Sequence, residues 1–253
     1  MIIKKPSSSD IKALKLLWKE AFCDTDEFID LFFSLAFSTE HSLCAYNNDS
    51  VAAALYWFDA HLNGDRVAYI YGVATKKENR GQGFSTALLK RTHDLLKDSG
   101  YNAAILVPAD EGLFNFYGRF GYEKCCYINS QIYPAKNDPV TFQKISGEEY
   151  LSLRNRFLPQ NSLIFDNERL QFLLSITDFY KSDDFIFAKS NDQNALNIIE
   201  FFGDKKHISS VISALGFRKG KVRAYGKEKA FAMYFPLTDN FNILPEYLGF
   251  AFD

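Results

Sequence analysis

Arg80, Gly81, Gln82, Gly83, Phe84, Ser85 and Thr86 follow one another directly behind a β-prone run and directly before an amphipathic one. A helix interior avoids glycine, which costs about 1 kcal/mol relative to alanine. Two glycines one residue apart at a helix start therefore point to a backbone kept bare. The first amides of a helix lack intrahelical acceptors, and with the helix dipole they bind anions, phosphates above all. Glycines 81 and 83 let such a ligand approach with no Cβ in its path. Arg80 adds a cation, and Ser85 and Thr86 add short hydroxyl donors. Gly-Lys-Ser/Thr and a full GxGxxG are both absent, so this is neither a P-loop nor a dinucleotide fingerprint.

What remains, Arg80-x-x-Gly83-x-Ser85, resembles the acetyl-CoA pyrophosphate loop of the GCN5-related N-acetyltransferases (GNAT), Gln/Arg-x-x-Gly-x-Gly/Ala, with serine in the last small position. The resemblance implies that the strand before the loop splays from its neighbour and offers Val73, Ala74 and Thr75 to the pantetheine arm. It also implies that the pyrophosphate sits on amides from Gly81 to Thr86. A second segment, PADEGLFNFYGRFGYEKC, is similar to the family's Asn-x-x-Ala…Tyr-x-x-x-Gly-Phe. There Tyr117 takes the place of the tyrosine facing the cofactor sulfur, Gly121-Tyr122 replace Gly-Phe, and Asp110 stands where asparagine is usual. The two motifs together cover about residues 2 to 133.

The resemblance further implies transfer of an acetyl group from acetyl-CoA, as co-substrate, to a primary amine. The attacking amine must be neutral, although an alkylammonium has a pKa near 10. A strand N–H such as that of Val73 would serve the carbonyl oxygen as charge develops. Tyr117 would be the general acid for the departing thiolate. The strand Val67 to Thr75 holds no Asp, Glu or His to act as base, and Tyr69 and Tyr71 either line the acceptor pocket or pack. The two-part layout resembles the enhanced-intracellular-survival type of acetyltransferase without its sterol-carrier-like domain. That resemblance implies that the chain's C-terminal carboxylate is the base, making Asp253 a second catalytic candidate. The apolar ending YLGFAFD suits a buried tail. A non-catalytic acyl-CoA sensor of the same fold is the alternative; a tandem aminoacyl-tRNA-dependent transferase fits less well, because it needs no CoA loop.

The elements that must position these residues read as a mixed α/β fold, a largely antiparallel GNAT sheet flanked by helices. Residues 1–135 are expected to form the acetyl-CoA-binding domain, and residues 136–253 a degenerate GNAT-like domain with its tail at the active site. Pro134 to Pro139 is the natural linker between them. VTFQKISGEEYLSLRNRFL repeats the plan of the chain's start, and SALGFRKG resembles GRFGYEKC, which together suggest an internal repeat. Strands are expected at 42–46, 51–58, 66–75, 103–107, 195–202 and 230–236, and helices from Ile11, Asp26, Phe84 and Leu113. Arg218, Lys219, Lys221 and Arg223 read as a solvated basic hairpin.

A net charge of −2 gives no basic field, which argues against nucleic acid as a partner. No apolar run reaches the ~18 residues of a membrane span, and the opening MIIKKPSSSD lacks a secretion signal. Cys23, Cys44, Cys125 and Cys126 lack metal-ligand spacing with the four histidines, so no metal is expected and the thiols read as reduced and cytoplasmic. The expected partner is a small-molecule or peptide amine acceptor, and the many aromatics leave room for a homo-oligomer.

Overall fold

The computed structural model describes residues 1–191, 195–249 and 251. In chain order the elements are β1 Ile2–Lys4, α1 Ile11–Phe22, α2 Asp26–Leu35, β2 Ser42–Asn47, β3 Ser50–Leu62, β4 Asp65–Thr75, α3 Phe84–Asp98 and β5 Ala103–Leu106. There follow α4 Glu111–Gly118, β6 Glu123–Pro134, β7 Gln143–Ile145, α5 Gly147–Arg154, β8 Ile164–Phe165, α6 Asn167–Ser175 and β9 Thr177–Lys181. The last are β10 Phe185–Ser190, β11 Leu196–Gly203, α7 Ile208–Ala214, β12 Lys219–Tyr225 and β13 Lys229–Pro236. The fold is mixed α/β and its strand pairs are mostly antiparallel, as expected.

The chain forms two compact units. The first comprises 1–107, 164–172 and 234–243; the second comprises 108–163, 173–233 and 244–253. This division follows compactness, whereas the boundary read at residue 135 follows chain order. Residues 135–142 are without regular structure. The amides of Ala135 and Lys136 donate to the Arg218 and Ser209 carbonyls, 2.9 Å each, so the start of the linker is fastened to the second unit.

In the first unit the strands run β1-β2-β3-β4-β5, with β8 added to the far end of β3. Strands β4 and β5 pair in parallel, joined through α3. Strand β3 is buried on both faces because helices cover both. Tyr56 and Phe58 meet Trp18 of α1 and Phe32 of α2 in one aromatic cluster, while α3 packs on β2, β3 and β4. The helix starts follow their caps: Thr25 accepts from the Phe28 amide at α2, and Asp110 from the Leu113 amide at α4.

The second unit orders its strands β6-β12-β11-β10-β9-β7, again with one parallel pair, β11 and β12, joined through α7. Phe185, Phe187, Ile198, Phe201, Val211 and Val222 form the centre of its core. All four cysteines are free; Cys23 is exposed and the other three are buried. Among the described residues no helix is long and apolar enough to cross a membrane, and no cluster of His, Cys, Asp and Glu could hold a metal.

Candidate active site

The site begins where β4 leaves its neighbour. Parallel pairing with β5 covers three positions, Val67 with Ala103, Ala68 with Ala104 and Tyr69 with Ile105. Strand β4 then runs on alone along that edge to Thr75. On its other edge the register with β3 slips: Tyr56 faces Tyr71, but Ala54 faces Ala74. Gly72 and Val73 thus oppose Leu55 alone, a β-bulge that re-aims the backbone. Gly72 has φ +60°, and a Cβ there would come within 2.9 Å of the Tyr56 ring and 3.1 Å of Trp18. Sequence reading passed over Gly72, although a glycine inside a strand pattern is a recognised mark of a bulge.

Beyond Thr75 the chain makes one 3-10 turn over Lys77–Asn79 and enters the loop. Gly81 and Gly83 take φ +75° and +84°, and a Cβ on either would meet no protein atom within 4 Å. The glycines therefore answer to a left-handed backbone with open space above it, and not to protein packing. Gly83 is the N-cap of α3, and no side chain caps that helix start. The amides of Phe84, Ser85 and Thr86 have no intrahelical acceptor. Arg80 is exposed, with its Nε donating to the Thr75 carbonyl at 3.1 Å, which tethers the guanidinium beside the turn. The Thr75 and Ser85 hydroxyls bond at 2.7 Å, fastening the strand end to the first helical turn. Gln82 Nε2 donates to the Glu78 carbonyl at 2.8 Å, and Phe84 is buried as the hydrophobic anchor. All ten residues from Val73 to Thr86 read as cofactor-facing thus lie on one strand end and the loop that follows it. A bare cradle of amides with an adjacent cation suits a diphosphate.

Tyr117 lies on α4, in the second unit. It is buried, with its ring edge-on to Phe116 at 5.2 Å and to Tyr122 at 5.7 Å. Burial pushes its phenol well above the ordinary value, so at neutral pH the group holds its proton. Asp110 is engaged as the α4 cap, accepting from the Leu113 amide at 2.9 Å. Tyr69 packs, being fully enclosed between Phe58, Tyr71 and Phe165. Tyr71 is half-buried in the same cluster against Trp18 and Phe32. Asp253 lies outside the described residues. The apolar ending does pack inward as far as it is described, since Tyr247, Leu248 and Ala251 are buried.

The sequence also left unremarked a polar cluster on β3. Asp59 receives His41 Nε2 at 3.2 Å, Arg66 at 3.1 Å and the Tyr101 hydroxyl. Burial opposes its charge, but these donors prevail and hold its carboxyl well below the usual range. Asp59 sits opposite Ala68 and Ala53 opposite Thr75. Six strand residues, about 20 Å, therefore separate the cluster from the glycine loop, and it belongs to the far end of the hairpin.

Residues 2–125 match the family described as an acetyltransferase (GNAT) domain. N-alpha-acetyltransferase 30 of Schizosaccharomyces pombe is 33% identical over 86 residues, which are 33% of this chain and 57% of that protein. The match thus spans little more than half the length of that curated relative. Among solved structures, a GCN5-related N-acetyltransferase from Anabaena variabilis ATCC 29413 aligns at a TM-score of 0.69 and 16% identity, over 94% of this chain and 73% of its own. Eis1 from Mycobacterium abscessus aligns at 0.65 and 11% identity, over 94% and 74%. At these identities the two structures establish a common fold.

Proposed function

We propose, for a chain whose residues 2–125 form a GNAT acetyltransferase domain, that it moves an acetyl group from acetyl-CoA to a primary amine. The observation that carries this reading is the β4 end: a strand that leaves its neighbour, a bulge at Gly72–Val73, and an uncapped helix start beneath two left-handed glycines. Acetyl-CoA would supply a thioester carbon open to attack. Amides from Gly81 to Thr86, with Arg80, hold its diphosphate, and Val73, Ala74 and Thr75 line its arm. The Val73 N–H donates to the carbonyl oxygen as negative charge grows there. Tyr117, kept protonated by burial, gives a proton to the departing sulfur. Asp253 is the carboxylate assigned to taking the ammonium proton. Residues 136–253 are read as a degenerate GNAT-like domain without a phosphate loop, and the acceptor as a small molecule or a peptide amine. The reading places the protein in the cytoplasm.

The test is calorimetric titration with acetyl-CoA beside turnover on a panel of amines, comparing the full chain with one ending at Ala251. The expected result is equal acetyl-CoA binding, with turnover only in the full chain. Equal turnover in both removes Asp253 from the mechanism. Binding by both with no turnover on any amine favours the acyl-CoA sensor.

A further inference from the structure

The parallel pair of the second unit parts as the pair in the first does. Strands β11 and β12 are joined at Leu196 with Gly220, Asn197 with Lys221 and Ile198 with Val222, and no further. The next residue of β11 is a bulge, because against β10 Lys189 faces Ile198 while Ala188 faces Glu200 and Ile199 is left over. Strand β4 likewise has three paired positions and then a bulge, there two residues further on, at Gly72–Val73. The second fork, however, is filled from within.

Arg223 is the first residue of β12 beyond the last pair. Its Nε donates across the gap to the Ile199 carbonyl at 2.8 Å, and a terminal nitrogen donates to the Gly249 carbonyl at 2.9 Å. Glu200, the residue after the bulge, is fully buried and accepts from the Tyr247 hydroxyl at 2.9 Å. Arg154 matches its charge through two bonds of 2.7 and 2.9 Å, and the Tyr150 hydroxyl adds a fourth at 2.8 Å. The backbone of the same segment is held as well: the Cys126 amide donates to the Pro245 carbonyl at 3.2 Å, and the Leu163 amide to that of Tyr247 at 2.8 Å. Gly249 has φ +42°, and a Cβ there would collide with the Tyr247 ring and with Glu200. Only glycine lets the chain fold this closely over the carboxylate. A buried ion pair adds little net stability over a well-packed apolar core. What this cluster does supply is direction, since each of its donors and acceptors accepts one arrangement of the segment.

We infer that the second fork is a binding site whose ligand is the chain's own segment 247–249, and that Arg223 and Glu200 are the residues that position it. Where the segment leads into Asp253, its position also sets turnover; that consequence rests on the acetyl-transfer reading, and the occupancy of the fork does not.

The experiment follows amide hydrogen exchange in the full chain for Arg223→Met, Arg223→Lys and Tyr247→Phe, with β10 as an internal control for the fold. In Arg223→Met, exchange across 244–251 is expected to quicken tenfold or more while β10 is unchanged. Arg223→Lys, with a single nitrogen for two carbonyls, should fall between it and the parent. Tyr247→Phe, which deletes one hydroxyl, should quicken the same stretch about threefold. Unchanged exchange in 244–251 overturns the proposal, and so does equal quickening of β10, which would make Arg223 a support of the whole unit. Turnover on a responsive amine should fall at least tenfold in Arg223→Met, with acetyl-CoA affinity held within twofold. If the parent acetylates nothing, the acetyl-transfer reading fails while exchange still decides the fork.

Discussion

The two forks share a backbone plan and differ in what the chain supplies next to them. After β4 come Gly81 and Gly83 with open space above, and a helix start that no side chain caps. After β11 comes Gly203, whose missing Cβ would strike the Asp184 carbonyl and Phe185, so this glycine answers to the protein's own backbone. The turn behind it is capped by Asp204, which accepts from the Lys206 amide at 3.0 Å. A carboxylate of the chain thus caps this turn, whereas the start of α3 in the first unit has no side-chain cap. The backbone plan of a strand fork is therefore shared, and the side chains and glycines supplied around it set the two apart.

The comparison can be broken most forcefully at Glu200. Glu200→Gln leaves the buried Arg154 without its counter-charge, and the unfolding free energy in a denaturant titration should drop by about 3–5 kcal/mol. Next come the paired glycines. Gly203→Ala forces a side chain against backbone and should cost about 3 kcal/mol of stability while leaving acetyl-CoA affinity intact. Gly83→Val should cost only about 1–2 kcal/mol of stability, from its left-handed φ. It should nevertheless weaken acetyl-CoA about 100-fold, some 2.7 kcal/mol, by calorimetry. A Gly83 variant that binds normally would end the loop assignment. Tyr117→Phe should lower kcat about 100-fold in steady-state assays with the KM for acetyl-CoA unaltered; a matched rise in KM would make the ring a binding contact only.

The smallest effect is a pH signature of the first unit. His93 stacks on Phe235 with ring centroids 4.4 Å apart, and burial depresses its pKa from 6.5 to about 4 despite nearby Asp94. Between those values the unfolded chain binds a proton that the folded chain refuses, so stability falls as pH falls. The contribution is whole above pH 6.5 and drains as pH approaches 4. Discounted for partial exposure, it amounts to about 2 kcal/mol. Urea titrations of the parent and His93→Phe at pH 7.5 and 5 should show the slope in the parent alone.

Much of this was legible in the sequence because the signals were local. The loop from Arg80 to Thr86 and the strands over 66–75 and 103–107 each depend on a few adjacent residues, and each is found within a residue or two of its expected place. What escaped depends on partners far along the chain. Arg223 read as part of a solvated basic cluster, yet while Lys219 and Lys221 are exposed, Arg223, next on the same face of the strand, is buried with its guanidinium bonded to the Ile199 and Gly249 carbonyls. No spacing links Arg154, Glu200 and Tyr247, which are separated by 46 and 47 residues. Strand β6 passes the motif test for the first half of the chain, but its neighbour β12 places it with the second unit. The hairpin of β9 and β10 went unassigned, although Ser182-Asp183-Asp184 between two aromatic runs is turn chemistry.

The four free thiols have a practical consequence. Burial holds Cys44 up at about 12 and Cys125 well above its ordinary value, and Cys126 is buried with a left-handed backbone. Cys23 alone faces solvent, at the end of α1. An alkylating reagent should therefore add one mass increment to the native chain and four to the unfolded one. The increments beyond the first count opening events one molecule at a time, so the protein carries its own stopwatch for unfolding, with no dye or tag attached.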